Sequence, residues 1–138
     1  MVKGIDRYAS ENVIGEATTD PKCGIKQRYF IFRNSFESQK AGCYDLDGNI
    51  FISDQAPERF RDIIVLHEVI EYQFLSRCAP KEVIKSVLSG GFGLMVDNTI
   101  FAAHKEALTE EMEAAARLGI FDEYWSWRWN HIMDVQEP

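Results

Sequence analysis

Between Pro57 and Arg77 apolar residues recur at helical spacing, and the stripe they form also carries a histidine and a glutamate. At about 100° per residue, with His67 at zero, Phe60, Ile63, Ile70 and Phe74 fall within about 60° of it and Glu71 at about 40°. The spacing thus predicts a helix whose inward face holds His67 and Glu71. Glu68 lies about 100° round, at the edge of the stripe. Residues four apart stand about 6 Å apart along a helix, close enough to share a ligand. Burying an unpaired carboxylate is costly, so whatever packs on this face must bring a partner or a cation.

A second helix is predicted over residues 98–118, capped by Asp97 or Asn98 and ended by Gly119. With His104 at zero, Ile100, Ala107, Leu108, Ala115 and Leu118 lie within about 60°, and so does Glu111. Glu106, Glu110 and Glu113 fall toward the far side, where solvent is expected. Each long helix therefore aims one histidine and one glutamate inward.

The remaining segments predict an α+β domain, with a short sheet or hairpin packed on the helix pair and an extra C-terminal helix. Arg28–Arg33 is aromatic and β-branched and reads as a strand. Gly42–Leu46 and Asn49–Ser53 are two more, and Asp47-Gly48 between them signals a hairpin turn. Asp54 is a candidate cap for the first long helix, which stops before Pro80. Lys81–Leu88 reads as a short helix and Ser89–Gly93 as a flexible break. Phe121–Met133, with Tyr124, Trp125, Trp127 and Trp129, is the last helix, and its tryptophans cannot all face one side. Residues 1–27, punctuated by Gly4, Gly15, Pro21 and Gly24, are expected to be partly irregular.

A chain of 138 residues suits one domain spanning 1–138, with 49–118 as the core of the site. Its formal net charge of −7, from 22 acids and 15 bases, argues against a nucleic-acid or anionic-membrane partner. No apolar run nears the roughly 18 residues of a membrane span, and Met1–Ser10 lacks a secretory signal's apolar stretch. Three cysteines, Cys23, Cys43 and Cys78, cannot all pair, and their spacing matches no zinc knuckle. Free thiols in the cytoplasm is the expectation, with a Cys23–Cys43 bridge as the alternative. His131 reads as a surface or packing residue, and Cys78 lies three turns beyond His67, too far for a dyad.

Two imidazoles and a carboxylate converging suit zinc, which accepts nitrogen and oxygen donors, although iron or manganese suits such a set as well. Glu68, next to a ligand but pointing elsewhere, is then placed to deprotonate a water whose pKa the metal lowers to about 7. Glu111 lies about 10.5 Å along the helix from His104, so it is expected to orient a ligating histidine, with a fourth-ligand role as the alternative. The metal-free alternative is a buried network of His67–Glu111 and His104–Glu71 pairs.

His67-Glu68-Val69-Ile70-Glu71 resembles the His-Glu-x-x-His helix of zincin metallopeptidases, with glutamate in place of the second histidine. The approach through Ile50-Phe51-Ile52-Ser53 and Ile64-Val65-Leu66 is similar to small zincins of the ImmA/IrrE type. So is the pairing with a downstream Ala-His-x-x-Ala-x-x-x-Glu helix, here Ala103-His104, Ala107 and Glu111, found in small bacterial and phage proteins. Over residues 49–118 the resemblance implies His67, Glu71 and His104 as zinc ligands and Glu68 as general base of a peptidase with a peptide or protein substrate. The other expectation is a non-catalytic, metal-stabilised interaction module, with the aromatic C-terminal segment as its partner or homodimer surface.

Overall fold

The computed structural model describes residues 5–34, 41–78 and 97–131, apart from the side chains at 5–7, 78, 97–100 and 131. The elements run α1 (Ile5–Glu11), β1 (Val13–Thr18), a 3-10 turn (Pro21–Cys23), β2 (Arg28–Phe32), β3 (Gly42–Tyr44) and β4 (Ile50–Ser53), then α2 (Glu58–Cys78), α3 (Asp97–Arg117) and α4 (Phe121–His131). The architecture is mixed α+β. Predicted features at Lys81–Leu88 and Ser89–Gly93 lie outside the described residues, as do the side chains of Asp97, Asn98, His131 and Cys78.

The four strands form one sheet in the order β1-β2-β4-β3. β1 pairs antiparallel with β2, and β3 antiparallel with β4, while β2 and β4 are parallel with Phe30 opposite Phe51. The β3–β4 connection is the expected reversal, but it is wider than a two-residue turn. The Asp45 carboxylate accepts the Asp47 and Asn49 N–H groups at 3.0 and 2.9 Å, and Gly48 takes a φ of +84°.

Alternation along the strands gives the sheet two buried faces. Phe32, Cys43 and Phe51 form one cluster with Ala9 of α1, edged by Tyr8 and Phe30. Tyr29, Tyr44, Ile50 and Ile52 face the other way and join the main core with Phe60, Ile63, Ile64, Val65 and Val69 of α2. α2 therefore sits between the sheet and α3, which explains why its middle is buried on more sides than one stripe predicts. Val65 and Leu66, off the predicted stripe, are buried, while Ile70 and Phe74 are half-buried. α3 offers Ala103, Ala107, Ala114 and Ala115, all fully buried, and such small side chains let two helix axes approach closely.

Between residues 5 and 23 stand α1, β1 and the 3-10 turn, β1 being drawn into the ladder by β2 even though Val13 and Ile14 stay exposed. Asp54 does not cap α2: its carboxylate accepts the Asn34 N–H at 3.0 Å and its carbonyl accepts from Arg61, tying the ends of β2 and β4 together. Cys23 and Cys43, both buried and on separate elements, are not joined by a disulfide. Among the described residues no helix is long and apolar enough to cross a membrane.

α3 ends in a Schellman motif, as Gly119 suggested. Gly119 adopts a φ of +76°, its N–H reaches the Ala116 carbonyl at 3.1 Å, and the Ile120 N–H reaches Ala115 at 3.0 Å. The reversal sends α4 back against α3 and α2, where Tyr124 meets Phe60 edge-on at 5.2 Å.

Candidate metal centre

His67 and Glu71 leave α2 one turn apart, on the side that α3 covers, and His104 leaves α3 opposite them. One ligand atom from each of the three lies within 4.8 Å of the others. The His67 and His104 rings stand 5.1 Å apart, centroid to centroid, and are inclined at 68°. The two helices thus bring together the three residues singled out from the sequence as ligands.

Both histidine–glutamate pairs exist, but they differ in kind. His67 Nδ1 and Glu111 Oε1 are 2.6 Å apart, a short hydrogen bond in which the ring nitrogen donates to the ionised carboxylate. Nε2 is then the His67 nitrogen available to an ion. His104 Nδ1 and Glu71 Oε2 are 3.5 Å apart, beyond ordinary hydrogen-bond length. It is close to the roughly 3.4 Å between two donors that share a tetrahedral ion at bonds of about 2.1 Å.

Glu111 is buried and is not one of the three converging ligands. Arg128 Nε donates to its Oε2 at 2.6 Å, Arg128 Nη2 reaches Oε1 at 3.4 Å, and the Tyr124 hydroxyl donates to Oε2. Burial alone would raise its carboxyl, but His67 and Arg128 outweigh burial and hold it at about 2. Burial would likewise lower the His67 imidazole, yet Glu111, with Glu68 and Glu71 behind it, raises it to about 9.

Glu68 is half-buried, and its Cγ lies beside β3. A Cβ built on Gly42 of β3 would stand 3.1 Å from Glu68 Cγ, 3.1 Å from Ile64 Cγ2 and 3.0 Å from Ile52 Cδ1. Gly42 is thus the position that lets α2 and the Glu68 side chain lie this close to β3. Tyr44, two residues along, is buried and hydrogen-bonds Glu71. Burial, reinforced by Glu71 and Glu68, pushes its phenol well above the usual range, so the hydroxyl keeps its proton and donates to the carboxylate.

Tyr44, Tyr124 and Arg128 were not among the candidates drawn from the sequence. Tyr44 gave no signal, because an aromatic residue in a short strand reads as core. Arg128 did leave a trace: it stands four residues after Tyr124, on one face of an aromatic helix, the same spacing that marked His67 and Glu71.

Comparison with protein-family models, with curated proteins and with solved structures returns no match.

Proposed function

We propose that this protein is a zincin-like, divalent-metal-dependent hydrolase, most simply a peptidase, in which His67, Glu71 and His104 hold zinc and Glu68 is the general base. The observation that carries the reading is the convergence of the three ligands with His104 and Glu71 at 3.5 Å, a spacing suited to two groups sharing an ion. Charge supports it too. With neutral imidazoles, as ligation requires, Glu68, Glu71 and Glu111 outweigh Arg128 by two negative charges, the charge of one divalent cation. Bound there, the ion would act as a Lewis acid and bring the pKa of a water to about 7.

The chain's own residues then divide the work. Glu111 holds His67 by Nδ1, and Tyr44 steadies Glu71 through its hydroxyl. Glu68, set apart from the three ligands, takes a proton from the attacking water and delivers it to the leaving amine. The peptide as substrate class comes from the likeness of the His-Glu-x-x-Glu helix to that of zincins.

A second reading, a non-catalytic module stabilised by the same metal, draws on one surface. Phe121, Trp125 and Trp129 are exposed along one side of α4, with successive ring centroids 6.5 and 6.2 Å apart. Glu68→Gln separates the two: an enzyme keeps its zinc and loses peptide hydrolysis, whereas a module keeps both zinc and partner binding. Tag-free protein that contains no metal and gains no thermal stability from added zinc would sink both readings.

A further inference from the structure

Glu111 is a carboxylate with every acceptor position engaged. Oε1 receives His67 Nδ1 and Arg128 Nη2, and Oε2 receives Arg128 Nε and the Tyr124 hydroxyl. A carboxylate offers about four such positions, so none remains for an ion. All four residues are buried: His67 retains 5% of its surface, Arg128 2%, Glu111 1% and Tyr124 none. We propose that Tyr124 and Arg128 are positioning residues of the metal centre, fixing the Glu111 carboxylate and through it the tautomer and ring orientation of His67, and thereby setting the site's affinity for zinc. The inference rests on the metal reading above.

The argument is geometric. Left to itself, a carboxylate on a two-carbon stem can rotate and offer its lone pairs in several directions. Arg128 fixes the plane, because its planar fork reaches both oxygens. Tyr124 fixes which oxygen lies away from the histidine. Its own ring is held by Phe60 of α2 at 5.2 Å, so the hydroxyl is anchored to the helix that carries His67. What remains of Oε1 is one direction, and His67 Nδ1–H occupies it. The proton is thereby kept on Nδ1 and the Nε2 lone pair is left for the metal.

Stability alone is a poor reason for such an arrangement. A buried arginine–glutamate pair is commonly no better for stability than apolar side chains of the same volume. Orientation of a ligating imidazole, by contrast, needs a fixed acceptor.

Tyr124→Phe removes one hydroxyl and keeps the ring against Phe60, while Arg128→Lys keeps the charge and loses the fork. Zinc affinity is read by competition with a chromophoric chelator at one pH, alongside the thermal midpoint of each metal-free variant. We expect each variant to bind zinc about 10–100-fold more weakly than wild type. Trp129→Ala, on the exposed side of the same helix, should bind as wild type does. A merely structural role would lower the thermal midpoints and leave zinc affinity unchanged, and that result overturns the proposal while sparing the metal reading. Nitrogen-15 spectra of zinc-loaded wild-type protein supply a readout that needs no variant: a His67 proton on Nδ1 supports the proposal, and one on Nε2 overturns it. Wild-type protein that binds no zinc overturns the metal reading and this inference together.

Discussion

Replacing Glu111 with leucine and Arg128 with methionine, singly and then together, measures what the buried network costs the fold. Glu111→Leu takes the paired carboxylate from the Arg128 guanidinium, 2% exposed, and removes the acceptor of the Tyr124 hydroxyl and of His67 Nδ1. Removing one partner of a buried ion pair costs about 3–5 kcal/mol. Domains of this size hold about 5–15 kcal/mol in all, so about a fifth of the stability or more should go. Arg128→Met should cost less, near 3 kcal/mol by the same measure, because Glu111 keeps His67 and Tyr124 as donors. The double variant buries neither charge, so the two losses should fall short of adding by about 2–3 kcal/mol. Urea unfolding of zinc-free protein, followed by circular dichroism, reads this directly. With a slope of about 2 kcal/mol per molar, a loss of about 4 kcal/mol lowers the midpoint by about 2 M. Additive losses, or a Glu111→Leu cost below about 1 kcal/mol, would mean that Arg128 finds other compensation and that the energetic reasoning is wrong.

Three further outcomes are expected. Zinc at a hundredfold excess over its dissociation constant should stabilise the protein by about 2.7 kcal/mol, and His104→Ala should abolish that gain in a thermal melt; a variant still stabilised by zinc would place the ion elsewhere. Gly42→Ala should cost about 1–3 kcal/mol, since the new methyl meets Ile52 Cδ1 at 3.0 Å and Glu68 Cγ at 3.1 Å; an unchanged melting midpoint would show that β3 and α2 can part freely. Gly119→Ala should cost about 1–2 kcal/mol from backbone alone, because φ is +76° and nothing stands near the added carbon; chemical denaturation that finds no loss would contradict the left-handed cap.

What could be read in advance was periodic. α2 and α3 announced themselves through apolar spacing, and the same spacing turned His67, Glu71, His104 and Glu111 inward, where the structure has them buried or half-buried. What escaped was set by tertiary contact. β1 has exposed Val13 and Ile14 and a register shift between Val13 and Gly15, so its own residues carry almost no strand pattern; pairing with β2 makes it a strand. Asp54 resembled a helix cap because local rules see only neighbours, whereas its partner Asn34 arrives from 20 residues upstream. Tyr124 and Arg128 meet Glu111 across 13 and 17 residues, through a reversal whose angle no local pattern specifies.

That reversal makes the length of one connection unusually intolerant of change. Surface loops ordinarily accept an extra residue. Here α4 starts two residues after Gly119, and each inserted or deleted residue turns the helix by about 100° about its axis. One insertion would present Glu123 and Trp127 where Tyr124 and Arg128 now stand, setting carboxylate against carboxylate beside Glu111. One deletion would offer Trp125 and Trp129, which bring no cation and no phenol. The segment Gly119-Ile120-Phe121 thus acts as a ruler, and the acceptor behind His67 depends on its count.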